Sequence, residues 1–378
     1  MIYSGKKILI VYNPLAYDIL PIEALNKIAQ ITNWSISLII PKRFGFDNKN
    51  IKESDITNYR GSYPAINTIS LNLLHPTNTF FRTLFSLRLL FEINSIKPDI
   101  IHCFNEIFSP TLTEVILLSK MISKNIKIIN YNAENIFWNK FPFNQFGNFN
   151  SRFVDCAPYI NRESGELIRR YKPDINKKRM ILSVDTGKFT FTRHSSEDIK
   201  QINIFYVGRM LKDKGIYTLL KAFQQLEERY RLHFIGSGPE MENIRKYIYE
   251  HNLQDRCILA GSKTREEINA LFKDCQILVL PSLTTKTLKE QFGRVIIEAM
   301  ACGVPVIGSS SGAIPEVIGD CGLIFREGNP DDLKGKVEML LSDPEMYNKL
   351  CILGRKAAEE KYSLDIFVEN LIDIYNAV

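Results

Sequence analysis

Residues 290–308 read EQFGRVIIEAMACGVPVIG, with acids at Glu290 and Glu298 and a glycine, Gly293, between them. One uninterrupted helix would hold these carboxylates about 12 Å apart and turned roughly 80° from each other, too far to share a proton or a metal. The flanking residues give a different reading. The apolar run Ile277–Leu280 ends in Pro281 and Ser282, and a polar stretch, LTTKTLKEQF, leads to Gly293 as a loop. Helical periodicity begins there, with Val295, Ile296, Ala299 and Met300 apolar, and a short strand at Pro305–Ile307 follows. Strand, loop, helix and strand make a βαβ unit, with Glu290 in the loop and Glu298 just over one turn into the helix. The free N–H groups of Phe292 to Val295 would then point outward, with the positive end of the helix dipole behind them. That suits a phosphate, and Gly293 has no Cβ to stand in its way.

The same alternation runs through the chain. Strands are expected at Lys7–Tyr12, Ser35–Ile40, Thr68–Leu73, Ile100–Cys103, Ile126–Asn130, Cys156–Ile160 and Met180–Ser183, with helices at Phe80–Ile96 and Pro110–Ser123. After a polar, non-periodic stretch at Asp185–Lys200, strands recur at Ile202–Val207, Leu232–Ile235, Cys257–Leu259, Ile277–Leu280, Pro305–Ile307 and Gly322–Phe325. Helices between them begin near Lys214, Glu240, Arg265, Gly293 and Asp331, and two more, Glu345–Tyr362 and Leu364–Ala377, close the chain. The expectation is an α/β protein of two doubly wound, Rossmann-like domains. The first covers residues 1–184, a linker 185–200 follows, and the second covers 201–360, leaving a terminal helix at 361–378. Such sheets bind ligands beyond the carboxyl ends of their strands, so a cleft there is the expected site.

Composition narrows the class. The chain is 45% hydrophobic and 24% charged, with a formal charge of +6, too diffuse to argue for nucleic acid but compatible with an anionic small ligand or membrane surface. No apolar run is long enough to span a bilayer. Seven scattered cysteines without a C-x-x-C pair read as buried free thiols, as in a reducing cytoplasm. Five dispersed histidines show no zinc-ligand spacing, and no D-x-D occurs, so no metal is expected.

Three elements of the second half converge. Besides the helix at Gly293, the first strand ends in VGRMLKDKG, where Gly208, Arg209, Lys214 and Gly215 bring two cations to the sheet edge. FIGSGPE supplies a tight turn at Gly236 and Gly238, without the third glycine of a dinucleotide fingerprint. Carboxylates repel phosphate but grip vicinal hydroxyls, so Glu298 is read as holding a ribose and Glu290 a hexose on either side of a diphosphate.

These residues resemble the retaining glycosyltransferases of the GT-B fold, family 4. The resemblance rests on Gly208-Arg209…Lys214-Gly215, Gly236-x-Gly238-Pro239, Glu290-Gln-Phe-Gly-x4-Glu298-Ala-Met-Ala-x-Gly303-x-Pro305-Val and Gly312-x-x-Pro315-Glu316. It implies a GT-B architecture, with two domains facing a cleft and the last helix crossing back to the first. It implies a nucleoside-diphosphate-sugar donor on the second domain and a glycan or lipid-linked acceptor on the first, in surface polysaccharide synthesis without a metal. Arg209 and Lys214 would neutralise the departing diphosphate, aided by Phe292, Gly293 and Arg294, while Gly261 and Lys263 bracket the base.

The first domain departs from the pattern. Asn13 stands where relatives carry a Gly-Gly loop, the usual histidine is replaced by the Asn132 to Asn135 stretch, and Glu106 is its candidate substitute in catalysis. Residues 136–153 hold seven aromatics, which either fold into the core or face an acceptor or lipid surface. Residues 79–93 read as a core helix of the sheet in preference to a membrane contact. Other readings are a nucleotide-sugar epimerase of the same fold and a non-catalytic sugar-nucleotide binder.

Overall fold

The computed structural model describes residues 5–12, 21–41, 62–74, 84–85, 87–192 and 201–378. It divides into two compact units: Met1–Leu182 with Phe367–Val378, and Ser183–Ile366.

The first unit contains β1 (Lys7–Tyr12), α1 (Ile22–Ile31), β2 (Ser35–Pro41), β3 (Ile66–Leu71), α2 (Arg88–Ile96) and β4 (Ile100–Phe104). There follow α3 (Pro110–Ile122), β5 (Lys127–Tyr131), α4 (Phe143–Asn150) and α5 (Arg162–Tyr171). Its parallel sheet has the order β3-β2-β1-β4-β5. A parallel sheet is covered on both faces, which is why β1 can be the unbroken run ILIVY with every residue buried.

The second unit contains β6 (Ile202–Val207), α6 (Ile216–Gln224), β7 (Tyr230–Ile235), α7 (Met241–Glu250), β8 (Cys257–Gly261), α8 (Arg265–Leu271) and β9 (Ile277–Leu280). It continues with α9 (Arg294–Ala301), β10 (Val306–Ser309), α10 (Ile314–Ile318), β11 (Gly322–Phe325), α11 (Pro330–Ser342) and α12 (Pro344–Glu360). Its sheet runs β11-β10-β9-β6-β7-β8, again all parallel. Chain order reverses between β6 and β9, and loops diverging at such a point open a crevice at the carboxyl ends of those strands.

The final helix, α13 (Leu364–Asn376), carries the chain back into the first unit. Its attachment is chemical as well as apolar. The Tyr375 hydroxyl lies 3.0 Å from His102 Nδ1 on β4, and the Lys6 ammonium donates to the Tyr375 carbonyl at 2.6 Å. Leu371 is fully buried on the same face.

Three expectations change. Cys156–Ile160 and Met180–Ser183 are not strands. They make only isolated bridges, because their amides go residue by residue to different partners, and Pro158 has no N–H to give. The helix expected from Phe80 begins at Arg88; residues 80–83 and 86 lie outside the described residues, and Phe85 instead bridges Leu73 in antiparallel fashion. The stretch read as a linker is, as far as Thr192, packed into the second unit. Phe189 is buried, the Thr192 amide donates to Cys302 O, and the Arg355 guanidinium donates to the carbonyls of Thr186, Phe189 and Ala301. Of the two places expected for the aromatic stretch 136–153, it takes mostly the core. Phe137, Trp138, Phe143 and Phe149 pack on the first unit's apolar cluster, leaving Phe141 82% exposed.

Truncating Leu371 to Ala should lower the stability of the first unit by about 2–5 kcal/mol, read as a lower urea midpoint for that unit's transition. An unchanged midpoint would show that α13 does not share its core.

Candidate functional site

The loops after β6, β7, β8 and β9 are laced together by their backbones. Gly208 N–H donates to Ile235 O at 2.9 Å, Met210 N–H to Ser237 O at 2.9 Å and Gly236 N–H to Gly261 O at 2.8 Å. Leu283 N–H reaches across to Asp213 O at 2.8 Å. This closeness explains two of the glycines. At Gly236 (φ 137°) a Cβ would meet Gly208 O at 1.9 Å, and at Gly215 (φ 70°) it would meet Pro281 O at 1.8 Å. Gly238, whose Cβ would meet Met210 O at 2.4 Å, belongs to the same crowded edge. The helix expected near Lys214 is a short 3-10 turn, Lys212–Lys214, and α6 starts only at Ile216, after the left-handed Gly215.

Lys214 and Glu290, 76 residues apart, meet at this edge. Lys214 Nζ lies 2.8 Å from Glu290 Oε2, and the Ser282 hydroxyl donates to the same oxygen at 2.8 Å. Ser282 is itself fixed, since it is fully buried and its carbonyl accepts from Ser309 Oγ at 2.6 Å. The main chain of Glu290 is clamped from outside: its carbonyl accepts from Ala313 N–H at 2.9 Å, and a Cβ on Gly312 would meet it at 2.2 Å. Arg209 stands on the same loop as Lys214 with its side chain exposed, and the Tyr206 hydroxyl holds its carbonyl at 2.7 Å. Ser282, Gly312 and Tyr206 support the site without having been singled out for it. Only Gly312 carried a sequence signal, its place in the Gly-x-x-Pro-Glu string.

Gly293 (φ 78°) caps α9 without any side-chain capping bond; the Ile296 N–H turns back to the Gly293 carbonyl at 2.9 Å, and the start of the helix stands at the same edge. Arg294 is half-buried at its first position. The Phe292 ring is buried edge-on against Tyr362 at 6.0 Å, which leaves its backbone to the site. Glu298 is buried one turn on, 3.9 Å from Arg265 at the start of α8. Arg265 was not foreseen, since its role depends on α8 lying beside α9. Near it, Ser262 Oγ donates to Ser237 Oγ at 2.7 Å, and Lys263 is engaged by Glu267 at 3.1 Å within the α8 capping box. Gly208, Arg209, Lys214, Gly236, Gly238, Gly261, Lys263, Glu290, Gly293, Arg294 and Glu298 thus all stand on the carboxyl-end loops and helix starts of one sheet. Among the described residues, no three His, Cys, Asp or Glu side chains form a metal-ligand group.

Glu106, Asn132 and Asn135 lie in the first unit, beyond the carboxyl ends of β4 and β5; Asn13 lies outside the described residues. Asn132 is used by the fold. Its Oδ1 accepts from Ile107 N–H at 2.9 Å, and its Nδ2 donates to Asn130 O at 2.7 Å. Glu106 Oε1 accepts from Ala133 N–H at 3.1 Å, while Oε2 is buried, as are the side-chain amide of Asn105 and the Tyr131 hydroxyl. Burial, and then the neighbouring charge of Glu134, push the Glu106 carboxyl up to about 8. Glu134 Oε1 accepts from the amides of Asn135 and Ile136, each at 2.9 Å.

Residues 188–357 match the family model described as Glycosyl transferases group 1. The capsular polysaccharide biosynthesis glycosyltransferase CapM of Staphylococcus aureus is 33% identical over 178 residues, 46% of this chain and 45% of that protein. The N-acetyl-alpha-D-glucosaminyl L-malate synthase of Bacillus anthracis is 28% identical over 227 residues, 59% of this chain and 51% of that protein. The chain spans about half the length of the curated relatives it matches. Among solved structures, Anabaena HepE in complex with UDP superposes with a TM-score of 0.76 at 15% identity, over 98% of this chain and 100% of that one. The fold is that of the GT-B glycosyltransferases.

A folded protein that keeps a proton on Glu106 competes with an unfolded chain that has released it above about pH 4.3. Stability should therefore fall as pH rises from roughly 5 to 8. Glu114, pushed up to about 8 by burial, acts in the same direction. Glu106→Gln should flatten that slope by about one proton in urea midpoints taken across the range; an unaltered slope would show that Glu106 does not titrate there.

Proposed function

We propose that the protein is a glycosyltransferase that takes a sugar from a nucleoside-diphosphate sugar bound at the β6–β9 edge and passes it to a glycan or lipid-linked acceptor. The observation that carries this reading is the meeting of Lys214, Glu290 and the start of α9 at the point where strand order reverses. The pieces match the donor's parts in sequence. Arg209, Lys214 and the α9 amides face the diphosphate, Glu290 takes the hydroxyls of the transferred sugar, and Glu298 those of the ribose. The names of relatives that bind UDP or serve polysaccharide synthesis support the same reading.

The chemistry follows from where charge grows. As the glycosidic bond to the diphosphate breaks, its electron pair goes to the leaving phosphate oxygen, while an acceptor hydroxyl bonds to the anomeric carbon and its proton passes to that oxygen. Lys214, oriented by Glu290, and Arg209 match that charge more strongly in the transition state than in the ground state. Glu290 orients the sugar and keeps Lys214 in place. We propose that configuration at the anomeric carbon is retained, as the Glu290…Glu298 motif suggests, that no metal ion takes part, and that the protein works in the cytoplasm.

Three variants separate the roles. Glu298→Ala should weaken nucleotide binding by about 1–3 kcal/mol, measured calorimetrically. Arg209→Ala and Lys214→Ala should each lower kcat by roughly 10²–10³-fold with a smaller change in donor affinity. Turnover should survive chelator and need an added acceptor. Loss of activity in chelator, restored by Mg²⁺, would contradict the metal-free reading, and donor turnover without acceptor would contradict transfer.

A further inference from the structure

Two neighbouring helices of the first unit carry apolar side chains on their outer faces. α2 buries Leu89 and Ile93 but leaves Phe91 69% exposed, and Leu87, its N-cap, is 72% exposed. α3 buries Leu112, Val115 and Ile116 but leaves Leu117 and Met121 51% and 72% exposed. Each pair is spaced i, i+4 and so forms a row along its helix. The rows lie side by side, because α2 packs on α3 and Phe85, just before α2, donates its amide to Glu114 Oε2 of α3 at 2.8 Å. The segment read from sequence as a core helix therefore turns Leu87 and Phe91 outward. Single exposed apolar residues are ordinary, but two adjacent rows of large ones mark a surface that meets something.

The charges beside the rows indicate what it meets. Arg88 follows Leu87 directly and Lys124 lies three residues past Met121, both exposed. Lys120, between the α3 rows and the core, turns back to the carbonyls of Lys124 and Ile126. Glu114 is sunk below the face, with burial raising its pKa, and Glu92 is the remaining acid on α2. A second copy of the chain would bring the same cations and a net charge of +6 against this surface. An anionic sheet complements both features at once.

We propose that the α2–α3 face rests on an anionic lipid bilayer, with Leu87, Phe91, Leu117 and Met121 entering the headgroup–acyl boundary and Arg88 and Lys124 meeting lipid phosphates. The protein lies on the bilayer in this account; among the described residues, no helix is long and apolar enough to cross it. The inference uses no feature of the nucleotide site and goes beyond the transferase reading.

The test is flotation of the full-length protein with vesicles of phosphatidylcholine alone or mixed with phosphatidylglycerol. The wild type should float with the mixed vesicles and less at high salt. Phe91→Ser with Met121→Ser should bind roughly tenfold more weakly or worse, and Arg88→Glu with Lys124→Glu should release the protein while leaving the apolar rows intact. All four positions are exposed, and an unchanged thermal shift by UDP would show that the variants are folded and that the donor site is unaffected. A wild type that stays unbound, or variants that float as it does, would overturn the proposal. So would light scattering that shows a wild-type dimer broken by Phe91→Ser with Met121→Ser, since a second copy would then cover the face.

Discussion

The second unit is organised around one ion pair, Lys214 with Glu290, 2.8 Å apart at the carboxyl edge of its sheet. Their side chains are only 20% and 12% exposed, so neither charge is fully solvated, and each needs the other. The pair closes the gap between the loop after β6 and the loop after β9. Everything around it keeps it there: the Ser282 hydroxyl below, the Gly312–Ala313 turn outside, and glycines wherever a Cβ would force the strand-end loops apart. A cation held by a carboxylate rather than by solvent is ready for an incoming anion. A carboxylate held by an ammonium keeps its orientation for a sugar's hydroxyls. Preorganisation of this kind costs no rearrangement when the substrate's charge develops.

The two sheets share a topology but spend their carboxyl edges differently. In the second unit the edge carries charge of both signs with glycine turns. In the first, where chain order reverses between β1 and β4, the described residues form an asparagine network. Asn130, Asn132 and Asn150 bond to backbone groups of the β4–α3 loop, and Glu106 closes the turn after β5. Such a network rigidifies the loop and shields Glu106, whose carboxyl prefers its neutral form.

Much of this was legible in the sequence. Buried parallel strands appear as unbroken β-branched runs, so β1, β6, β9 and β11 could be bounded to the residue, and the loop–helix break at Gly293 gave Glu290 and Glu298 their separate places. What failed shares a cause. An apolar run shows that a segment is buried but not what its amides bond to, so Cys156–Ile160 looked like a strand. A polar run shows solubility of its side chains but not where its backbone docks, so residues 185–192 looked like a linker until Arg355 was seen to hold them. Ser282 and Arg265 were silent because their partners are distant in sequence and meet them only when β9, α8 and α9 assemble.

A crystal structure with a nucleoside diphosphate bound would test the central claim most directly. The account requires the diphosphate within hydrogen-bonding distance of Lys214 Nζ and the amides at the start of α9, with Arg209 turned onto it and the ribose hydroxyls on Glu298. A diphosphate bound elsewhere, with the Lys214–Glu290 pair untouched and no contact to the Gly293 turn, would contradict it.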